Sequence, residues 1–560
     1  MADTTSSNLR TGGQILVDCL RLHGVDKVFC VPGESYLATL DAFHDVQDKI
    51  ELVVCRQEGG ATNMADAWGK MTGKPGIAFV TRGPGATNAS VGIHTARQDS
   101  TPLILFVGQV ARDTAEREAF QEVDYRRMFG EMTKWVAQID DPARIPEMVS
   151  RAFHVATSGR PGPVVLALPE DMQTEHADAV DGEAYCSSHA SCSSADLDKF
   201  RYLLTVARTP LVLAGGGGWT QEACDDLATF SERNHLPVAV AFRRQDLMDN
   251  RHPNYAGVVG LGINPTLKER IDNADLLIVL GTQLGEIVSG GYTYFTFPKP
   301  RQTMVHISAG VEELNKVYQA DLSINAGMSE FCAAAKSIEP VDAPWKTETD
   351  AAHAEYMAFS APSDMPGDVN YSEIIGWLSD NLPEDALITN GAGNYTVWLH
   401  RFFRYKQYGT QLAPQSGAMG YGVPSGVAAS IRHPKRVVIS FSGDGCFQMN
   451  GQEIGTAAQQ RTNTIFVVVN NGMYGTIRMH QEMHYPKRKS GTDLFNPDFS
   501  ALARAYGAHG ETVSKTEDFR GAFERCLEKE GPSLIELLVE PDAILPTNTL
   551  TAIQKAALYP

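Results

Sequence analysis

The sequence lacks any apolar run of the roughly 18 residues that a membrane-spanning helix needs. Its start, MADTTSSNLR, has no basic segment followed by an apolar one, so neither a spanning nor an exported protein is predicted. Cysteine is also sparse, with nine in 560 residues, and no two of them form a C-x-x-C pair or a zinc-binding spacing. Such thiols are typical of a reducing compartment, and we therefore predict a cytoplasmic protein.

Positive charge is scarce as well. The chain has 48 Lys and Arg against 67 Asp and Glu, a net charge of −19. Nucleic acids and anionic lipids reward basic stripes, so we predict neither a nucleic-acid partner nor a membrane partner. What the sequence does contain, 43% hydrophobic residues with 50 Gly and 29 Pro, is typical of a soluble globular protein with many tight turns.

Short apolar runs alternate with helical stretches, which indicates parallel strands buried on both faces of a sheet. A stretch rich in Ser, Asp and Ala at 173–195 and a connection at about 338–368 separate three groups of runs. We therefore predict an α/β fold with three doubly wound parallel-sheet domains, at 1–175, 195–340 and 365–545. The runs lie at 27–31, 77–81, 103–107, 164–168, 211–218, 276–281, 304–308, 386–389, 436–445, 464–472 and 533–540.

Two polar motifs follow strands of the third domain. GDG at 443–445 ends one apolar run, NNG at 470–472 ends the next, and a helix is predicted at about 450–460 between them. Ligands of open α/β sheets bind at the carboxyl ends of the strands. Glycine permits positive φ and close approach of the backbone, and a helix N-terminus favours phosphate. A carboxylate, an amide oxygen and a backbone carbonyl suit Mg²⁺ that is held together with phosphate oxygens.

GDG, 24 intervening residues and NN resemble the signature of thiamine diphosphate (ThDP) enzymes; the alternative is two ordinary turns. Segments such as GKPGIAFVTRGPGATN, AFQEVD and SGRPGPVVLALPEDM extend the resemblance over nearly the whole chain, in the order found in acetolactate synthases. It implies ThDP and Mg²⁺ as cofactors, with metal ligands from Asp444, Asn471 and the carbonyl of Met473. The implied cofactor-binding residues are Ala392, Gly393, Asn394, Gly417, Met419, Gly443, Asp444, Gly445, Cys446, Asn471, Met473, Tyr474 and Gly475.

Three of the implied roles are specific. By resemblance, the backbone of Gly417 accepts from the 4′-amino group of the cofactor, and Met419 props the cofactor into a bent conformation. Ordinary core packing is the alternative for Met419. Glu58 follows an apolar run and precedes a predicted helix, and in the family a glutamate at this place protonates N1′ of the pyrimidine, which requires a poorly solvated carboxylate. An exposed glutamate at a helix start is the alternative.

Five further residues are candidates for the substrate site or for proton transfer. Glu34, in CVPGESY, is either a second proton-transfer group or a helix-start carboxylate. Gln121 and Lys134 match family positions near the substrate, whereas Arg478 and His480 are placed there only because they follow the NN motif. Lone His and Arg residues are more often solvated surface groups.

The sequence departs from acetolactate synthases in the middle domain. Ile287 stands where the family has an arginine and His480 approximately where it has a tryptophan, and both family residues help to bind the acceptor. A missing guanidinium removes a bidentate partner for a carboxylate. VHISAGVEE at 305–313 replaces a HIDID-like run, which argues against FAD.

We predict decarboxylation of a 2-oxo acid, with pyruvate favoured, and ligation of the remaining fragment to a second carbonyl compound. The alternatives are a 2-oxo acid decarboxylase, a 2-hydroxyacyl-CoA or oxalyl-CoA type lyase, and a non-catalytic protein that keeps the ThDP fold. The partners predicted are therefore small molecules. The resemblance also implies a homodimer or tetramer whose active site lies at a subunit interface.

Overall fold

The computed structural model describes residues 9–559, so the first eight residues of the predicted domain 1–175 lie outside the described residues. The chain forms two compact units, which divide between Ser188 and His189. None of the described helices is long and apolar enough to cross a membrane.

The first unit is built around one six-stranded sheet. The unit has eight strands, six of which form this sheet. They are β1 (Leu9–Thr11), β2 (Lys27–Cys30), β3 (Glu51–Val54), β4 (Gly76–Val80), β5 (Leu103–Gln109), β6 (Trp135–Gln138), β7 (Pro163–Pro169) and β8 (His176–Asp178). Its helices are α1 (Gly12–Leu22), α2 (Leu37–His44), α3 (Glu58–Thr72), α4 (Gly83–Asp99), α5 (Tyr125–Phe129), α6 (Ile145–Thr157) and α7 (Glu170–Thr174). The sheet order is β3-β2-β4-β5-β7-β6, all parallel, while β1 and β8 form a separate antiparallel pair.

The second unit contains two sheets, of which the first is the central sheet. Its strands are β9 (Pro210–Ala214), β10 (Val238–Ala241), β11 (Tyr255–Val259), β12 (Leu276–Leu280), β13 (Thr303–Ser308) and β14 (Leu322–Asn325). Its helices are α8 (Ser194–Val206), α9 (Gln221–Arg233), α10 (Pro265–Asn273), α11 (Met328–Ala335) and α12 (Lys346–Phe359). The strands are parallel in the order β11-β10-β9-β12-β13-β14.

The C-terminal sheet follows. Its strands are β15 (Leu387–Asn390), β16 (Gln411–Leu412), β17 (Val438–Gly443), β18 (Thr464–Asn470), β19 (His509–Val513) and β20 (Ser533–Leu538). Its helices are α13 (Tyr371–Asn381), α14 (Tyr395–Phe402), α15 (Gly422–Arg432), α16 (Asp444–Asn450), α17 (Ile454–Gln459), α18 (Gly475–His484), α19 (Phe499–Ala505), α20 (Thr516–Leu527) and α21 (Leu550–Leu558). The parallel order is β16-β15-β17-β18-β20-β19, which places the ends of β15, β17 and β18 side by side.

Buried polar contacts connect the two sheets of the second unit. The backbone N–H of Gln245 donates to Oε1 of Gln411 over 2.7 Å, and the backbone N–H of Gly409 donates to the Asp246 carboxylate over 2.9 Å. Because buried polar groups are costly unless they are paired, these bonds hold the central and C-terminal sheets in one geometry. They explain why the two sheets form one compact unit.

Three six-stranded parallel sheets with helices confirm the predicted fold class, because continuous apolar strands are the sequence pattern of a sheet covered on both faces. Two segments differ from expectation. The supposed connection at 338–368 contains α12, whose Ala352 and Tyr356 are buried. Strand β8 lies in the supposed linker 173–195, and its pairing with β1 is a long-range contact that local pattern does not reveal. The exact domain boundaries stay predictions.

Candidate active site

The carboxyl ends of β15, β17 and β18 form one pocket of about 240 Å³. Residues 391–394 follow β15, 444–446 follow β17 and 471–475 follow β18. Every cofactor-binding residue predicted from the sequence lines this pocket. The sequence did not predict four more lining residues, which are Tyr395, Val469, Thr476 and Ile477.

Asp444 provides the charge of this pocket. It is only 3% exposed; its Oδ1 accepts from the Gly445 N–H over 2.9 Å and its Oδ2 from Nδ2 of Asn496 over 2.7 Å. Burial raises the pKa of this carboxyl above its usual value, although the neighbouring amides oppose the shift. No basic side chain of residues 9–559 forms an ion pair with it. A buried carboxylate with only amide partners suits a cation.

Asn471 and Met473 lie beside Asp444 in the turn that follows β18. Oδ1 of Asn471 accepts from the Met473 N–H over 3.3 Å, and Gly472 between them has a φ of 69°. A short bridge between Met473 and Asp493 fixes the turn against the segment before α19. The turn thus presents an amide oxygen and a backbone carbonyl near a carboxylate, which are the hard oxygen donors that Mg²⁺ prefers.

The local structure around GDG differs from expectation in two ways. Gly443 has a φ of −68°, so positive φ is not the reason for glycine here. The helix begins at Asp444 itself, and a 3-10 turn at Gly451–Glu453 divides the segment into α16 and α17 in place of one helix at 450–460. The glycines are needed for space, because a Cβ on Gly443 would lie 3.0 Å from the Tyr395 ring.

Gly445 offers a direct test of this packing. A Cβ there would lie 2.6 Å from Cε1 of Tyr474, a pocket residue. We expect Gly445→Ala to displace that ring, to lower the free energy of unfolding by about 1–3 kcal/mol, and to weaken ThDP binding. Chemical denaturation and calorimetric titration with ThDP measure the two effects.

Gly507→Ala is the matched control, because a Cβ at Gly507 meets no atom within 4 Å, its φ is 83°, and it does not line the pocket. Its cost is only that of a left-handed conformation, about 1–2 kcal/mol. If Gly445→Ala bound ThDP as tightly as the wild-type protein, the assigned contact between this strand end and the cofactor would be wrong.

Asn394, Gly417 and Met419 lie on the wall of the pocket formed after β15 and before α15. Oδ1 of Asn394 accepts from the Thr476 hydroxyl over 2.8 Å, and its Nδ2 donates to the Ile544 carbonyl over 3.2 Å. Gly417 has a φ of 68°, which favours glycine. Met419 both lines the pocket and packs against the C-terminal core. Its two proposed roles, cofactor contact and core packing, are therefore compatible.

In the first unit, Glu58 is the first residue of α3 and follows β3. It is half-buried, and its Oε2 accepts from Nδ2 of Asn88 over 2.9 Å. Glu34, after the neighbouring strand β2, is exposed at the start of a 3-10 turn. The Gln121 carbonyl accepts from the Gly83 N–H over 3.0 Å, and the backbone of Gln121 has a φ of 65°. These residues lie near the carboxyl ends of adjacent strands.

The other three substrate candidates are not among the described residues that line the pocket. Lys134 lies at the amino ends of β6 and β7, where its N–H donates to the Pro163 carbonyl and its Nζ to that of Ser158. Arg478 pairs with the buried Glu482 over 2.8 Å. His480 is exposed, and its ring lies parallel to that of His484 on the next turn of α18. A role of these three residues at the substrate stays a prediction.

Strand β13 of the central sheet ends in the segment from which we predicted that FAD is not used. Ser308 ends that strand, its hydroxyl accepts from the Gly310 N–H over 3.3 Å, and Asn325 donates to the carbonyls of Ser308 and Ala309. The polar groups at this strand end bind one another, and the first acidic side chains after it are Glu312 and Glu313 in a 3-10 turn. The expectation that FAD is not used stays a prediction.

Comparison with known sequences agrees with the geometry. The family of the thiamine pyrophosphate enzyme N-terminal TPP binding domain matches residues 10–128, that of the central domain 197–335, and that of the C-terminal TPP binding domain 391–537. The acetolactate synthase isozyme 2 large subunit of Escherichia coli K12 is 30% identical over 533 residues, which cover 94% of this chain and 95% of that protein.

A second relative is the acetolactate synthase large subunit of Parasynechococcus marenigrum, 31% identical over 96% of this chain and 89% of its own length. A third is the mitochondrial acetolactate synthase of Schizosaccharomyces pombe, 30% identical over 95% and 83%. All three family matches name the same cofactor, thiamine pyrophosphate, which is ThDP. The chain therefore belongs to the thiamine pyrophosphate enzymes, among the relatives of the acetolactate synthase large subunits, and is a ThDP-dependent carboligase and decarboxylase.

Proposed function

We propose that the chain uses ThDP and Mg²⁺ to decarboxylate pyruvate or a similar 2-oxo acid and to join the remaining fragment to a second carbonyl compound. The observation that carries this proposal is the pocket at the ends of β15, β17 and β18, where the predicted cofactor residues meet around the buried Asp444. The acetolactate synthase names of the relatives support pyruvate as the donor.

Asp444, Asn471 and the Met473 carbonyl are the proposed Mg²⁺ ligands. Magnesium usually binds through one or two carboxylates and additional oxygens together with substrate phosphates, and it is not held by an all-protein cage. A site with a single carboxylate fits that preference. The same preference explains why the described residues hold no group of three or more His, Cys, Asp and Glu side chains suited to a metal.

The cofactor, when bound, supplies an electron sink for the pair left by departing CO₂. The protein would position the cofactor and transfer protons. We propose that Glu58 holds and moves a proton at N1′ of the pyrimidine, that the Gly417 carbonyl accepts from the 4′-amino group, and that Met419 supports the bent cofactor. The half-buried position of Glu58 and its bond from Asn88 support a fixed carboxylate.

Glu58 and Asp444 belong to different compact units, and the family resemblance implies that one active site takes them from two subunits. We therefore propose a homodimer, or a tetramer made of two dimers, as the active form. Sedimentation of the purified protein tests this part of the proposal.

The acceptor is the open part of the reaction. Ile287 packs against the core of the central sheet, His480 is exposed, and Arg478 is neutralised by Glu482. Asp444 is the one ionisable side chain, apart from cysteine and tyrosine, among the described residues that line the pocket. This pocket therefore offers no guanidinium to an acceptor carboxylate. That observation keeps aldehyde acceptors and simple aldehyde release as alternatives to a second 2-oxo acid.

The experiment measures CO₂ release from pyruvate and identifies the product by mass spectrometry, with and without glyoxylate, 2-oxobutyrate or benzaldehyde. We expect turnover that requires both ThDP and Mg²⁺, with acetolactate formed from pyruvate alone. Acetaldehyde as the sole product would assign a decarboxylase instead. Inertness toward pyruvate, with turnover of oxalyl-CoA or a 2-hydroxyacyl-CoA, would assign a lyase.

A further inference from the structure

Asn496 contacts Asp444, the buried carboxylate of the pocket, although it lies 52 positions later in the chain. It belongs to the segment between α18 and α19. Its Nδ2 donates to Oδ2 of Asp444 over 2.7 Å and to Oδ1 of Asn470 over 2.9 Å. The amide nitrogen has two protons, so both of them are used by this pair of acceptors.

The orientation of the Asn496 amide is determined by its surroundings. Its Oδ1 accepts from Nε2 of Gln448 over 3.0 Å. The reversed amide would place its oxygen against the Asp444 carboxylate and the Asn470 oxygen, which would bring acceptors together without a proton. Only one orientation therefore satisfies all three neighbours.

Asn470 is in turn fixed to the sheet. Its Oδ1 also accepts from the Gly472 N–H over 3.1 Å, and its Nδ2 donates to Oε1 of Glu536 over 2.7 Å. Glu536 is on β20, next to β18, and is 4% exposed. The chain of bonds thus runs from a buried carboxylate of the sheet through Asn470 and Asn496 to Asp444.

We propose that Asn496 is a positioning residue that sets the orientation of the Asp444 carboxylate for Mg²⁺. A hydrogen bond to an ionised carboxylate is stronger than one between neutral groups. Oδ1 of Asp444 accepts from the Gly445 N–H and Oδ2 accepts from Nδ2 of Asn496, so a hydrogen bond orients each oxygen. Because the carboxylate is held at both oxygens before metal arrives, binding costs less side-chain entropy. This role rests on the proposed function, since it requires the Mg²⁺ site.

The test is Asn496→Ala, examined by calorimetric titration of ThDP at a series of Mg²⁺ concentrations. Loss of an outer partner of a metal ligand typically lowers metal affinity 10–100-fold, so we expect the half-saturating Mg²⁺ concentration to rise by about 10-fold or more. The kcat at saturating Mg²⁺ should stay within about twofold, because Asn496 would act through Asp444 and not on the substrate. The metal-free variant should unfold at a lower midpoint, because Asp444 and Asn470 each lose a donor.

Gln448→Ala is the matched control, because it removes the contact to Oδ1 of Asn496 and a 3.5 Å contact to the backbone carbonyl of Asp444, and it leaves both bonds of Nδ2 in place. We expect it to change the Mg²⁺ requirement by less than about threefold, well below the range for an outer partner of a ligand. If Asn496→Ala does not fold, Asn496→Ser retains one O–H donor and should show a smaller rise of the same kind.

The possible outcomes separate this inference from the proposed function. If the wild-type protein binds ThDP without any dependence on Mg²⁺, the metal assignment itself fails. If the wild-type protein requires Mg²⁺ and the folded Asn496 variants require it equally, the positioning role is wrong and the function stands. A fall in kcat at every Mg²⁺ concentration, with an unchanged half-saturation, would also overturn the positioning role.

Discussion

Replacement of Glu58 by Gln is expected to lower kcat by about 100-fold or more while ThDP and Mg²⁺ remain bound, since positioned acid–base groups typically contribute 10²–10⁴ in rate. Glutamine has nearly the same shape as glutamate, and its side-chain oxygen can still accept from Asn88. It cannot take up or release a proton at neutral pH. The variant therefore removes proton transfer with little change in packing.

The measurement combines initial rates with calorimetric titration of ThDP. Glu51→Gln is the control, because Glu51 lies at the start of the same strand, β3, and pairs with Lys27 at the surface. It should keep wild-type kcat. Unchanged turnover in Glu58→Gln would exclude Glu58 from proton transfer at the pyrimidine, whereas loss of ThDP binding would make it a binding residue.

The same assay assigns Glu34. Glu34 is exposed at the start of a 3-10 turn, and the pocket at the ends of β15, β17 and β18 belongs to the other unit. This position fits both interpretations of Glu34. If Glu34 is a second proton-transfer group, Glu34→Gln should lower kcat and leave ThDP affinity unchanged. If Glu34 is only a helix-start carboxylate, the variant should lose a small amount of stability and no activity.

The strands and the pocket at the ends of β15, β17 and β18 could be predicted because their signals are local. Runs such as LILFVGQ in β5 and TIFVVVN in β18 are apolar along almost their whole length, and parallel strands buried on both faces have this pattern. GDG and NNG follow such runs directly, and the parallel pairing of β17 and β18 brings the carboxyl ends of both strands to one edge of the sheet. Spacing alone was therefore enough to bring Asp444 and Asn471 together.

The residues that the sequence did not reveal depend on contacts between distant segments. Asn496 reaches Asp444 from 52 positions away, and nothing in NPDF identifies it as a partner of GDG. Lys134 matched a family position, but the parallel register places it at the amino ends of the strands. Helix α12 has mixed polarity along KTETDAAHAEYMAF and packs on β11, a contact that sequence periodicity does not show.

Replacement of Asp444 by Asn should abolish the Mg²⁺-dependent binding of ThDP. In the folded protein the carboxylate is buried, no basic side chain among residues 9–559 pairs with it, and burial raises its pKa, which disfavours the charged form. A neutral amide removes that penalty and also removes the charge that attracts the metal. The new NH₂ group would face a donor, either the Gly445 N–H or Nδ2 of Asn496, so the metal-free variant should unfold at a somewhat lower midpoint than the wild-type protein.

The contrast appears when ligands are added. At a ThDP concentration of 100 times its dissociation constant with saturating Mg²⁺, the wild-type protein should gain about 2.7 kcal/mol of stability. Asp444→Asn should gain none at the same concentrations, as measured by thermal unfolding with and without the ligands. Asp493→Asn is the control, because Asp493 is an exposed carboxylate of the neighbouring segment that pairs with Lys489, and it should keep the full gain. Equal stabilisation of Asp444→Asn by ThDP and Mg²⁺ would show that the metal is held elsewhere.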